Sequence, residues 1–128
     1  MPKKPKSILV VEDEKSLNKI ITLKLEEAGY RVESVFDGEE AIGALAKKKP
    51  DLVWLDIYLP KIDGFGVLDW IRKNLETKNL PIFIVSVSGS NKKIEQAQRF
   101  GVLEYCVKSN YKIGELVEKV DVLLMRRA

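Results

Sequence analysis

The sequence contains no histidine and a single cysteine, Cys106, among 128 residues. The absence of histidine excludes a Ser-His-Asp triad, a Cys-His pair, histidine-ligated metals and a phosphohistidine within the chain. One cysteine excludes an internal disulfide and a cysteine cluster that holds zinc. Because Cys106 lies within an apolar run, we expect it to be a small buried hydrophobic residue. Any proton chemistry must therefore use carboxylates, lysine, tyrosine or water.

Long hydrophobic runs are also absent. None approaches the roughly 18 residues that cross a bilayer, and the apolar stretch after the basic start is too short for the core of a signal peptide. We therefore expect a cytoplasmic protein that does not bind a membrane. The length and an apolar share of 45% suit one soluble domain with one core. We expect a single domain over residues 1–128, with an ordered core of about 7–125 and a basic tail over 1–6.

Charge of one sign does not dominate, since 22 basic and 19 acidic residues give a net charge of +3. The positive excess lies at both ends of the chain and at the end of one predicted helix, where a cation interacts favourably with the helix dipole. A nucleic-acid surface usually concentrates basic residues on one element and interleaves aromatic residues. We therefore expect a solvated surface and no nucleic-acid binding by this domain.

Five short apolar runs alternate with helical patterns. The runs predict strands at residues 8–11, 32–35, 52–55, 82–85 and 103–107. Three of them are continuous rather than alternating, which is typical of parallel strands covered on both faces. The repeated strand-helix order predicts an α/β fold with a doubly wound five-stranded parallel sheet and right-handed crossovers.

Apolar residues at helical spacing predict five helices. Gly29 and Gly101 are predicted to end the first and the fourth, and the turn Asp37-Gly38 precedes the second. The predicted buried faces are Leu17, Ile20, Ile21, Leu25 and Ala28; Ala41, Ile42 and Leu45; Val67, Leu68, Ile71 and Leu75; Ile94, Ala97 and Phe100; and Ile113, Leu116, Val117, Val120 and Leu123.

Polar side chains follow four of the predicted strands. Glu12 and Asp13 follow the first, Asp56 the third, Ser86 the fourth and Lys108 the fifth. The carboxyl ends of parallel strands meet at one edge, where such sheets bind ligands, so we expect these side chains to converge. Clustered carboxylates repel one another unless a cation compensates, and Mg²⁺ prefers such oxygen ligands. Acidic residues ahead of a helix also favour its dipole, so the acidic run alone leaves both interpretations open.

A hydroxyl and an ammonium complete this predicted cluster. Bound metal and Lys108 can offset the charge of a phosphoryl group while Ser86 donates a hydrogen bond to it. Taken singly, Ser86 is more often a strand-end cap and Lys108 a surface cation. The convergence of all five side chains predicts a site for phosphoryl transfer.

The chain resembles a response-regulator receiver domain over about residues 7–125. The matching motifs are the acidic pair in residues 10–14, Asp56 within residues 51–64, Ser86, and Tyr105 with Lys108. The Asp56 segment is the most specific, because Leu59-Pro60 and Asp63-Gly64 place a defined turn after the aspartate. The resemblance implies a CheY-like (βα)5 fold with strand order 2-1-3-4-5.

The resemblance also implies a role for each acidic residue. Asp56 resembles the phosphoacceptor that attacks a phosphohistidine donor. Asp13, Asp56 and the backbone carbonyl of Tyr58 resemble direct ligands of Mg²⁺. Glu12 replaces the aspartate often found there, and its extra methylene favours coordination through water. Lys108 resembles the residue that pairs with the phosphoryl oxygens.

A two-state switch is the expected consequence of phosphorylation. Ser86 would be drawn toward the phosphoryl group, and Tyr105 would rotate into the vacated space. The implied partners are a sensor histidine kinase or histidine phosphotransfer protein, and a downstream protein target or second copy on the face formed by helix 4, strand 5 and helix 5. We expect a signalling switch rather than an enzyme, although it catalyses its own phosphorylation and dephosphorylation.

Two positions depart from the family pattern. Val87 follows Ser86 where alanine or glycine is usual, and Ser109 follows Lys108 where proline is usual. They keep open the alternative of an interaction module that works without phosphorylation. Because a non-proline cis peptide bond costs about 2.5–4 kcal/mol, we predict a trans Lys108–Ser109 bond and a Lys108 that still reaches Asp56.

Three residues are predicted to tune the reaction rates. Tyr58 and Ser88 should flank the path of attacking water, which Val87 narrows further. Tyr58 is bulky, and Ser88 has no acid or amide with which to orient that water, so we expect slow dephosphorylation.

Two other functions need to be weighed. A protein that binds FMN can share the predicted fold, and an aspartyl phosphatase can share the predicted nucleophile. An FMN binder would need a phosphate loop rich in Ser, Thr or Gly where this chain has residues 12–15, Glu-Asp-Glu-Lys. An aspartyl phosphatase would carry a second aspartate where Tyr58 stands.

Overall fold

Five parallel strands form one central sheet in the computed structural model, which describes residues 4–126. The elements in chain order are β1 (Ser7–Val11), α1 (Lys15–Glu27), β2 (Arg31–Val35), α2 (Gly38–Lys47), β3 (Leu52–Leu55), α3 (Gly64–Lys73), β4 (Ile82–Ser86), α4 (Asn91–Arg99), β5 (Glu104–Val107), a 3₁₀ turn (Lys108–Asn110) and α5 (Ile113–Arg126). The order across the sheet is β2-β1-β3-β4-β5. The predicted doubly wound fold and its strand order are confirmed. Residues 1–3 of the predicted basic tail lie outside the described residues.

Both faces of the sheet are covered, which explains the continuous apolar strands. Leu9 and Val11 of β1 face a core completed by α2, α3 and α4, whereas Ile8 and Val10 face a second core completed by α1 and α5. Cys106 lies in the second core and is buried, as predicted. Burial of this apolar surface is the main favourable contribution to folding.

Local sequence signals account for four of the helix ends. Gly29 and Gly101 take positive φ angles of 100° and 71° after α1 and α4, as the sequence predicts. The Asp37 side chain caps α2 by accepting a hydrogen bond of 2.7 Å from the backbone N–H of Glu40. Asp63 caps α3 in the same way, at 2.9 Å from the backbone nitrogen of Gly66.

Three predicted core positions are wrong, and a fourth, Leu123, is partly buried against the core. Ile20 is 46% exposed, because α1 packs through Ile21 and Leu25. Leu75 is 83% exposed because α3 ends at Lys73, before it. Ala28 is exposed because α1 ends at Glu27 and Ala28 stands at its C-cap. On α5, Leu124 rather than Leu123 is the buried residue of the last turn.

The elements bring the polar residues to one edge. Val11 pairs with Leu55 across β1 and β3, so the residues that follow these strands emerge side by side. Ser86 is the last residue of β4 rather than the residue after it, and Lys108 begins the turn after β5. Within residues 4–126, no helix combines the length and apolar character needed to cross a membrane.

Candidate functional site

Three carboxylates meet at the carboxyl edge of the sheet, as the sequence predicts. One carboxylate oxygen from each of Glu12, Asp13 and Asp56 lies within 4.8 Å of the others. Glu12 and Asp56 are only 1% and 3% exposed, whereas Asp13 is exposed. This combination of two buried acids and one exposed acid can hold a metal ion that keeps water ligands on its outer side.

Lys108 reaches into this cluster. Its ammonium donates to Asp56 Oδ2 at 2.9 Å and to Glu12 Oε1 at 2.5 Å. The peptide bonds of the described residues include no cis bond, so the Lys108–Ser109 bond is trans. Both predictions about Lys108 are thus confirmed, and its flexible stem carries the ammonium to the carboxylates from the 3₁₀ turn.

Burial dominates the electrostatics of the cluster. It raises the pKa of Asp56 above the ordinary value for aspartate, and the ion pair with Lys108 offsets only part of this effect. Burial likewise raises the pKa of Glu12, against the hydrogen bond from Lys108. Burial lowers the pKa of Lys108, but its bonds to Glu12 and Asp56 together outweigh burial and leave the pKa raised. Three carboxylates against one ammonium leave the site short of positive charge, which favours a bound divalent cation.

Ser86 offers an unused hydroxyl. The residue is fully buried, and its Oγ has no hydrogen-bond partner among the residues that the structure describes. A buried polar group without a partner costs about 1–3 kcal/mol. An oxygen atom within hydrogen-bond distance of Ser86 Oγ would remove this cost.

Tyr58 links the segments that follow β3 and β4. Its backbone N–H donates to Asp56 Oδ1 at 3.0 Å, which fixes the second oxygen of that carboxylate. The residue is 40% exposed, and its hydroxyl lies 2.7 Å from Ser88 Oγ. The Lys93 ammonium of α4 bonds to the same hydroxyl and lies 4.0 Å from the ring centroid. The sequence predicts Tyr58 and Ser88 on either side of the path of attacking water, and the structure joins their hydroxyls directly. Val87, which is predicted to narrow that path, is mostly exposed.

Tyr105 connects β5 to the same loop. Its hydroxyl donates to the backbone carbonyl of Ser88 at 2.6 Å. Burial raises the pKa of Tyr105 above the ordinary value for tyrosine. Movement of the Ser86–Ser88 segment therefore changes the hydrogen bond that holds Tyr105.

The sequence prediction missed two residues that support the site. Asn18 of α1 is buried and donates to the backbone carbonyls of Glu12, at 2.9 Å, and Val35, at 3.1 Å. The sequence did contain a signal for Asn18, because it is a polar residue three positions before Ile21 and so lies on the buried face of α1. Lys93 gave no such signal, because its contact with Tyr58 joins residues 35 positions apart.

This sheet, with its carboxylates, hydroxyl and ammonium at one edge, defines a CheY-like α/β domain. The family model described as response regulator receiver domain matches residues 8–121, and the chain belongs to that family. It is a receiver domain of two-component signal transduction, in which receivers work with histidine kinases and downstream effectors.

Curated relatives include longer regulators. The DNA-binding dual master transcriptional regulator RpaA of Synechocystis sp. is 30% identical over 119 residues, which cover 93% of this chain and 49% of RpaA. The chain spans about half the length of the curated relatives it matches. The match therefore concerns the receiver portion of those proteins.

Solved structures agree with the fold. The receiver domain of Francisella response regulator 1452 superposes with a TM-score of 0.84 at 31% identity, covering 96% of this chain and 99% of that one. The phosphorylated cyanobacterial phytochrome response regulator RcpA superposes with a TM-score of 0.82 at 30% identity, covering 94% and 91%. The chain therefore shares its fold with a receiver that was solved in a phosphorylated form.

Proposed function

We propose that Asp56 accepts a phosphoryl group from a histidine kinase or histidine phosphotransfer protein, in a Mg²⁺-dependent reaction that switches a protein-interaction surface. One observation carries the proposal. The Asp56 carboxylate is buried among acids, yet each of its oxygens is held by a donor, Lys108 on one side and the Tyr58 N–H on the other. A buried carboxylate positioned in this way is preorganised as a nucleophile.

The donor set at this edge fits Mg²⁺. Asp13, Asp56 and the Tyr58 carbonyl would bind it directly. Glu12 would act through water, because its carboxylate already accepts from Lys108 and, at 3.0 Å, from the backbone N–H of Glu14. When bound, Mg²⁺ supplies positive charge that the phosphoryl oxygens need.

The chain's own groups then have distinct tasks. An Asp56 oxygen attacks phosphorus, the bond from phosphorus to the donor histidine nitrogen breaks, and an acyl phosphate forms. Lys108 transfers hydrogen bonds from the carboxylates to the new phosphoryl oxygens, and the free hydroxyl of Ser86 donates another. These interactions strengthen as negative charge enters the site.

Displacement of Ser86 would alter the Tyr105 contact. Ser88 lies two residues after Ser86, and its carbonyl accepts the Tyr105 hydrogen bond. If Ser86 moves toward the phosphoryl group, the carbonyl moves and Tyr105 is released to rotate inward. The surface of α4, β5 and α5 would then differ between the two states, and a downstream protein or a second copy would bind one state better.

The position of Lys108 supports this function over a module that works without phosphorylation. Such a module has no need to hold an ammonium between two buried carboxylates, a geometry that costs desolvation. The DNA binding named for RpaA belongs to a protein about twice as long. For this domain we propose protein contacts and no contact with nucleic acid.

The test is labelling with acetyl phosphate and Mg²⁺, read by intact mass spectrometry. We expect one phosphoryl group on the wild type, and none on Asp56→Asn or in EDTA. Asp69→Asn is the matched control, because Asp69 makes an exposed ion pair with Lys73 on α3, outside the acidic cluster. Equal labelling of Asp56→Asn and Asp69→Asn would refute the assignment.

A further inference from the structure

The N-terminus of α2 packs directly against the loop of residues 58–63, which follows Asp56. The backbone N–H of Gly38 donates to the carbonyl of Pro60 at 3.3 Å. A Cβ atom at Gly38 would lie 1.8 Å from the carbonyl oxygen of Ile62 and 2.7 Å from the Ile62 Cβ. Only glycine permits this approach, since real Cβ atoms do not come so close to backbone.

A second contact lies beside the first. Lys61, in the same loop, has a positive φ of 67°, a region that costs a non-glycine residue energy. Its ammonium lies 3.5 Å from Asp37 Oδ2, while Asp37 Oδ1 caps α2. Asp37 thus holds the helix end and the strained loop residue with its two oxygens.

The other end of the loop is fixed against the phosphoacceptor. The backbone N–H of Gly64 donates to the Ile57 carbonyl at 2.8 Å. A Cβ at Gly64 would lie 2.6 Å from the carbonyl oxygen of Asp56. The loop that carries Tyr58 is therefore held between Asp56 on one side and α2 on the other.

We propose that Gly38 and Asp37 are positioning residues that clamp the loop of residues 58–63 and so set the place of the Tyr58 backbone at the acidic cluster. The Tyr58 N–H orients Asp56 Oδ1, and its carbonyl is one of the metal ligands under the proposed function, on which this inference rests. Neither Gly38 nor Asp37 is among the predicted site residues. Their effect reaches the site through the backbone of residues 58–63.

Gly38→Ala tests the clamp, with Gly43→Ala as matched control. Gly43 lies in the same helix, and a Cβ there would meet nothing within 4 Å. We expect Gly38→Ala to weaken Mg²⁺ binding, measured by calorimetry, by about 10- to 100-fold, the usual range when supporting contacts at a metal site are lost. Hydrogen exchange of the Tyr58 and Gly64 amides should accelerate by at least the lower of these factors, about tenfold. Gly43→Ala should leave both quantities unchanged. Equal exchange of these amides in the two variants would overturn the clamp.

Asp37→Asn provides the second test, should Gly38→Ala fail to fold. An asparagine oxygen still caps α2, but the ion pair with Lys61 is lost. We expect faster exchange at the Tyr58 amide and weaker Mg²⁺ binding, both by a smaller factor than for Gly38→Ala. Unchanged values would overturn the role of Asp37. A wild type that fails to bind Mg²⁺ would refute the proposed function instead, while the exchange rates would still decide whether the clamp exists.

Discussion

The ammonium of Lys108 lies 2.9 Å from the Asp56 carboxylate, although the peptide bond that follows Lys108 is trans. The chain achieves this by starting a 3₁₀ turn at Lys108, over residues Lys108–Asn110. Ser109 permits that turn, whereas a proline in its place would restrict Lys108. The lysine's position therefore depends on local backbone conformation as well as on attraction by the carboxylates.

Ser109→Pro is expected to destabilise the protein. Proline disfavours helical φ and ψ angles in the preceding residue, and Lys108 lies in a 3₁₀ turn. We expect the free energy of unfolding in urea to fall by about 1–2 kcal/mol. Ser109→Ala is the control and should change it little, because Ser109 is exposed. A Ser109→Pro variant as stable as Ser109→Ala would show that the turn does not need this backbone conformation.

Asp56→Asn is expected to stabilise the metal-free protein. Burial raises the pKa of Asp56, so folding disfavours the charged form of its carboxylate relative to the neutral form. The neutral amide removes this cost, and we expect the free energy of unfolding in EDTA to rise by about 1 kcal/mol. For the same reason, the wild type should lose stability as the pH rises from the ordinary aspartate value through the raised value. A less stable Asp56→Asn variant would contradict this electrostatic account.

Cys106, which lies outside the site, is expected to make folding stability depend on pH. Burial raises the pKa of its thiol from 9.0 to about 12. An unfolded thiol ionises first as the pH rises, so folding stability is lost between pH 9 and 12. We expect a loss of about 1 kcal/mol by pH 10. Cys106→Val should show a smaller loss over this range, and an identical loss would assign the effect to other groups. The folded thiol should also resist alkylation at pH 8 until the protein is unfolded.

Tyr58 is expected to slow dephosphorylation. Its hydroxyl is held by Ser88 and Lys93, which keeps the side chain between the segments that follow β3 and β4. We expect Tyr58→Asn to raise the rate of loss of the phosphoryl group by about tenfold, a barrier change of about 1.4 kcal/mol.

Tyr58→Phe separates the ring from its hydrogen bonds, because it keeps the ring and removes the hydroxyl, so an intermediate rate is expected. Val87→Ala should have a smaller effect, because Val87 is mostly exposed. If Tyr58→Asn dephosphorylates at the wild-type rate, the side chain does not obstruct attacking water. Phosphorylation by small donors requires separate measurement, since the same crowding is expected to slow it.

The fold was predictable because β1, β3 and β4 are short, mainly apolar runs and each helix repeats apolar residues at its own period. The errors have physical causes. The helical period continues through Leu75, but α3 ends at Lys73 and Asn74 takes an extended ψ of 130°. On α1, Ile20 adjoins the packed residues in the pattern, yet it is 46% exposed.

The acidic cluster was predictable for a different reason. The residues that directly follow parallel strands all lie at the same edge of the sheet. The register of β1 with β3 is enough to place Glu12 beside Asp56. Contacts that depend on tertiary distances were not predictable. Lys93 meets Tyr58, and Gly38 meets Ile62, only after α4 and α2 have packed. No spacing within the sequence indicates either contact.

The central claim is that Asp56 is the residue that carries the phosphoryl group. Protein treated with acetyl phosphate and Mg²⁺ can be reduced with borohydride, which converts an aspartyl phosphate to homoserine, and then digested and mapped by peptide mass spectrometry. We predict homoserine at position 56 in the wild type and at no position in the EDTA-treated protein. Reduction at another carboxylate, or none after prolonged treatment with a phosphorylated histidine kinase as donor, would contradict this claim.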